Sequence, residues 1–167
     1  MGKVPYPISG AFPLPLDVSC LQQLSYRISS WTPSQECLMD YLYFLANASL
    51  TLRVVEYLHS MPHLPFQFIT VIHQIEGWVV KVKMNNTLTP QQDGDFRAFM
   101  SELGIPYQPD IRVQMALWSL ETGQSVVDVM RRYQVAVVSH GSPDRSNIEA
   151  FRQQFTMGLG YCPETLA

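Results

Sequence analysis

The side chains of this chain that could do chemistry are few and scattered. His140 is the most suggestive: it ends the run Ala136-Val-Val-Ser139 and is followed by Gly141-Ser-Pro143. A strand that ends on a histidine can offer a neutral imidazole nitrogen to a metal, with carboxylates or further histidines completing the set. The other histidines do not supply that set. His59 and His63 have the i,i+4 count of a helical ligand pair, but Pro62 interrupts the helix between them, and His73 stands alone. A turn histidine is therefore the commoner reading of His140, and neither a metal nor a cofactor is expected. Guanidinium groups form the second set. Arg131 and Arg132 are adjacent, and Arg145, Asn147 and Arg152 recur along residues 144–155. These residue types contact phosphates and base edges. For nucleophilic or phosphate chemistry there is no GxSxG, GxxxxGKS or GxGxxG. Acids are dispersed, without a juxtaposed pair for acid–base work.

Composition narrows the field. Of 167 residues, 47% are hydrophobic and only 15% charged, against about 25% charged in an ordinary soluble domain. The surface must then be uncharged and polar, or covered by a partner. The formal net charge is −3, whereas nucleic-acid binders usually present a basic face. Residues 105–167 hold five arginines against six acids. Cys20, Cys37 and Cys162 lie far apart with no CxxC, which suits free thiols in a reducing compartment better than a disulfide framework. The N-terminal MGKVPYPISGAFPLPL, broken by four prolines, lacks the apolar core of a signal peptide. No apolar run approaches the roughly 20 residues of a membrane span. A cytoplasmic location, with no membrane partner, is the expectation.

These groups must be held by elements that periodicity and punctuation outline. Residues 1–15 read as a proline-rich arm, in which Tyr6, Phe12 and Leu14 are candidates to pack on a partner. Residues 16–167 read as a single α+β domain, mainly helical around a small antiparallel hairpin or sheet. Helical spacing marks residues 17–30. Thr32-Pro33-Ser34-Gln35 resembles a helix start and predicts a long helix to about Ser60, with Leu38, Tyr41, Leu42, Leu45, Leu52, Val55 and Leu58 on one face and a bend or division at residues 47–49. FQFITVIHQ and WVVKVKM, separated by Glu76-Gly77, predict a hairpin over residues 66–84, with Lys81 and Lys83 on a wet face. Residues 95–103 predict a short helix stopped by Gly104 and Pro106, residues 135–139 a short strand, and Asp144 or Ser146 the cap of a last helix through Phe155.

The stretch DIRVQMALWSLETGQSVVDVMRRYQV, residues 110–135, predicts two helices joined at Thr122-Gly123, the second capped by Ser125 with Asp128 at capping-box offset. On Leu120, Gly123, Ser125, Val126, Val129, Arg131, Arg132, Tyr133 and Val135 it resembles the front half of helix-turn-helix modules in transposases and small transcription regulators. That resemblance implies a recognition helix reading the major groove. Here the next residues, Ala136-Val-Val-Ser-His-Gly-Ser-Pro143, prefer a strand, so the reading helix is either displaced to residues 144–155 or missing. An ordinary helical hairpin packed on the sheet has the same outline. VAVVSHGSPD also resembles, over about six residues, the strand-borne histidine of cobalt chelatases and extradiol dioxygenases, which implies a metal-dependent enzyme.

Three functions are therefore carried forward. The first is a non-enzymatic regulatory protein with a degenerate helix-turn-helix, contacting DNA alongside a partner through Arg131, Arg132, Arg145, Asn147 and Arg152. The second is an adaptor or assembly factor binding another protein or a second copy of itself. The third is a metal-dependent enzyme using His140. Binding without catalysis leads.

Overall fold

The computed structural model describes residues 40–142 and 144–167. The expected proline-rich arm with Tyr6, Phe12 and Leu14, the helix over residues 17–30, and Cys20 and Cys37 lie outside the described residues.

The chain enters on strand β1 (Asp40–Leu45), followed by helix α1 (Ala48–Ser60), the hairpin β2 (Phe66–Gln74) and β3 (Gly77–Met84), helix α2 (Pro90–Leu103) and the short strand β4 (Gly104–Pro106). Helices α3 (Ile111–Glu121) and α4 (Val126–Tyr133), strand β5 (Ala136–Gly141) and helix α5 (Arg145–Leu159) come next, and a 3-10 turn, Glu164–Leu166, ends the chain. The sheet runs β4-β1-β3-β2-β5, with every neighbouring pair antiparallel. Its first four strands with α1 and α2 form a split β-α-β arrangement, to which α3, α4, β5 and α5 add a fifth strand beside β2. The class is α+β, as the composition and patterning imply.

Two apolar layers sandwich the sheet. On one face Tyr41, Tyr43, Leu45, Ile69, Val71, Trp78, Val80, Val82 and Met84 pack against α1, α2 and Ile148 of α5. On the other, Ile72, Val79 and Val137 pack against Val113, Ala116, Leu117 and Leu120 of α3 and Val129 of α4. A central strand covered on both sides reads as a continuous apolar run, which is why Trp78-Val79-Val80 shows no alternation.

The hairpin forms where expected, with Gln74 paired to Gly77 across the Ile75-Glu76 turn. The long helix through Ser60 does not. Its residues 40–45 form β1, where Tyr41, Tyr43 and Leu45 point to one layer while Leu42 and Phe44 pack into the other. Every position from Tyr41 to Leu45 is apolar or aromatic, so neither a period of 2 nor one of 3.6 stands out, and pairing with Trp78 to Lys83 of β3 decides between them. The division expected at residues 47–49 is where α1 begins: the Asn47 side chain accepts from the Leu50 N–H at 3.0 Å. Helix α2 starts at Pro90, earlier than the expected residue 95. Thr89 and Gln92 make a reciprocal capping box, with Pro90 in the first turn. The strand after α4 and the last helix, capped by Asp144, both form, each running slightly further than expected.

Candidate functional site

Helix α3 and the half of the sheet beneath its C-terminal end make the most distinctive surface among the described residues. Asp110 caps α3 by accepting from the Val113 N–H at 2.8 Å. Val113, Ala116, Leu117 and Leu120 fill the lower layer at i, i+3, i+4 and i+7, so that face is fully used. Ile111, Met115 and Trp118 then line up at i, i+4 and i+7 on the opposite side, 73%, 39% and 57% exposed. The helix stops at Thr122, whose hydroxyl donates to the Ser119 carbonyl at 2.9 Å, and Gly123 takes φ +85° to turn the chain. Ser125 then caps α4 in a reciprocal arrangement with Asp128. A hydrogen bond of 3.0 Å between the Ser119 and Tyr133 hydroxyls ties the two helices together. The Thr122-Gly123 corner is therefore a packed helical corner.

An ion cluster lies under the end of α3. Glu121 receives hydrogen bonds from Lys81 and, at 2.8 Å, from Lys83, and Lys81 also meets Asp40 at 2.9 Å. The side chains of Lys81, Lys83 and Glu121 are only 12%, 16% and 16% exposed. A carboxylate at a helix C-terminus opposes the helix dipole; two ammonium groups at the same place reverse that balance. Burial pushes the Glu121 carboxyl up, but the hydrogen bonds and charges of the two lysines overcome it and hold it below the usual glutamate range. For Lys81 burial works downward, and the bonds to Glu121 and Asp40 outweigh it and raise it. The face of β3 expected to be wet is thus roofed at this end by α3. Leu42, Lys81, Thr70 and His140 stand in register across four strands. The Thr70 hydroxyl and His140 Nδ1 are 2.8 Å apart. Burial lowers the His140 pKa, opposed by the Glu121 charge and the Leu120 carbonyl.

Above this cluster opens a groove of about 730 Å³. Its walls include Leu42, Pro109, Ile111, Met115 and Trp118, and Asp40, Lys81 and Glu121 supply its charge. A second cavity, about 750 Å³, lies near the β2–β3 turn, lined in part by His73, Tyr107, Arg112, Phe155 and Tyr161. His73 packs against the rings of Trp78, Phe151 and Phe155 at 5.0, 5.2 and 5.6 Å between centroids, and its buried Nε2 has no hydrogen-bond partner among the described residues.

The residues expected to contact DNA are not brought together. Arg131 and Arg132 are exposed at the end of α4, where they make no ion pair with a described residue, and Arg132 lies over the Tyr133 ring at 5.5 Å. Arg145, Asn147 and Arg152 belong to α5, on the opposite face of the sheet. Arg145 is engaged by Glu56 and, at 2.7 Å, by Glu149, Asn147 is exposed and Arg152 half-buried. Strand β5 directly follows α4, so no helix continues the corner into a reading position. Among the described residues no three His, Cys, Asp or Glu side chains gather as a metal site. Cys162 is exposed and unpaired with any described cysteine. No helix among the described residues is long and apolar enough to cross a membrane. The groove, Glu121 and the two lysines escaped the reading of the sequence. The i, i+4, i+7 stripe of α3 was legible; the meeting of Glu121 with lysines 40 and 38 positions away was not.

These features define the chain as an α+β sandwich with an apolar groove beside a partly buried ion cluster. Compared with known proteins, it matches no family model, no curated protein and no solved structure.

Proposed function

We propose that this chain is a non-enzymatic binding protein, an adaptor or regulatory component that engages another protein through the exposed side of α3. The observation carrying this reading is the Ile111–Met115–Trp118 stripe on a helix whose other side already fills a core. Monomeric domains rarely leave contiguous large apolar side chains in water, and tryptophan is enriched among the residues that dominate interfaces. Binding is favoured over catalysis because the titratable groups nearby are committed to one another: Glu121 to two lysines, Lys81 to two carboxylates, His140 to Thr70.

A photo-crosslinking amino acid at position 115, in the full chain expressed in its native cells, tests this. A discrete crosslinked protein is expected, lost on Trp118→Ala while the thermal midpoint stays close to wild type. No discrete product, or a Trp118→Ala variant destabilised like a core truncation, would overturn it.

A second reading, contact with DNA alongside a partner, is favoured by one observation: Arg131 and Arg132 are exposed and unpaired among the described residues. Phosphate contacts would then weaken with salt, and replacing both arginines should flatten log K against log[salt] by about one phosphate each. A low-salt gel shift that retards no duplex disposes of this reading.

A further inference from the structure

We infer that the segment accepted by the α3 groove is apolar and basic: an aliphatic or aromatic anchor beside an arginine or lysine. The inference rests on the reading of α3 as a protein-binding surface and adds the chemistry of its partner.

The groove itself supplies the reasons. Its walls at Leu42, Ile111, Met115 and Trp118 suit an apolar side chain. Its charged lining is Asp40, Glu121 and Lys81, and Glu121 is already answered by Lys81 and Lys83, so the carboxylate left for a partner is that of Asp40. The Lys81 ammonium is not on offer. It is 12% exposed and held by both carboxylates, so turning it to an incoming anion would strand two acids in a partly buried place. What solvent and a partner meet is the Asp40 carboxylate, 39% exposed, with one oxygen on Lys81 and the other engaged by no described residue. Trp118 offers an indole over which a guanidinium or ammonium group can lie. An acidic segment would instead face Asp40 with no cation free to answer it.

Panning a randomised peptide library displayed on phage against the full chain, its Trp118→Ala variant and its Asp40→Asn variant tests this. Peptides retained by the wild type and lost on Trp118→Ala should be enriched in Arg or Lys next to Leu, Ile, Met or Phe. Replacing that arginine by citrulline in the synthetic peptide should weaken binding about two- to fivefold, the range for one partly exposed charge contact. On Asp40→Asn the preference for arginine over citrulline should shrink to what the Trp118 indole supplies. Trp118-dependent peptides without basic enrichment would overturn the inferred chemistry and leave the groove reading standing. A wild-type chain that dimerises through Trp118 in sedimentation would overturn it in favour of a second copy. A library yielding no Trp118-dependent peptide would remove the groove reading itself.

Discussion

Glycine separates backbone from side-chain demands in this molecule more cleanly than any other residue. Gly104 opens β4 directly against β1, and a Cβ there would run into the Phe44 carbonyl oxygen and crowd Leu45. Gly94 lies within α2, exposed, with nothing near its missing Cβ. Gly104→Ala should therefore cost about 1–3 kcal/mol, as overpacking does, while Gly94→Ala should add about 0.5–1 kcal/mol by restricting the unfolded chain. Urea melts of the two variants should move in opposite directions; a shared direction would refute the contact at Phe44. Glu121 makes a second test. Glu121→Gln leaves Lys81 and Lys83 together without their anion, and because these side chains keep some exposure the loss should be about 2 kcal/mol, below the roughly 3–5 kcal/mol of a fully buried pair. An unchanged urea midpoint would mean that the cluster contributes nothing. Single letters of the sequence announced neither effect: Gly104 reads as a helix stop, and Glu121 as one of the dispersed acids.

At the scale of elements, the last turn acts as a clasp. The Trp78 indole N–H donates to the Thr165 carbonyl at 2.7 Å, Leu166 is wholly buried, and the Ala167 oxygen accepts from the Ser49 N–H and hydroxyl at 3.1 and 2.8 Å, near the start of α1. Removing residues 165–167 deletes one buried leucine and these bonds. It should cost roughly 3–7 kcal/mol, taking about 1.5–3 for the leucine and 0.5–1.5 for each of the three bonds. Denaturation followed by tryptophan emission would measure it, and a truncated chain as stable as the whole would show the clasp to be idle. How far such elements are legible depends on how local their causes are. The hairpin, the Ser125 cap and the helix after Asp144 follow from residues a few positions apart. Strand β1 does not: DYLYFL satisfies helix and strand alike until β3 and β4 arrive on either side of it. Strand β4, three residues long, has no pattern of its own and exists because β1 has an open edge.

For the molecule as a whole, stability against acid follows, among the described residues, from two partly buried histidines and from carboxylates held low, Asp93 and Asp144 as well as Glu121. Burial keeps His73 neutral and below its ordinary pKa, so the unfolded chain takes up the proton first. His140 shifts the same way, through burial offset by Glu121 and Leu120. Their contribution is complete above about pH 6.5 and is lost as pH falls below it. Glu121, held down by its lysines against burial, contributes above the ordinary glutamate value and loses that contribution as pH drops through its folded pKa. The urea midpoint should thus be flat near neutrality and decline on acidification, first from the histidines and then from Glu121, Asp93 and Asp144. His73→Phe keeps an aromatic ring among Trp78, Phe151 and Phe155 and removes an unpaired Nε2, so it should add about 1 kcal/mol and flatten the first decline. The same acid slope in that variant would assign the effect elsewhere. What the sequence by itself determined was the α+β class, the Ser125 and Asp144 caps, the Thr122-Gly123 corner and the hairpin, because caps, turns and side-chain periods act within a few residues. Tertiary structure alone decided that DYLYFL is a strand, that Arg131 and Arg145 lie on opposite sides of the sheet, and that Glu121 meets Lys81 and Lys83. Each of those depends on segments distant along the chain, whose contacts form only when two apolar layers close on one sheet.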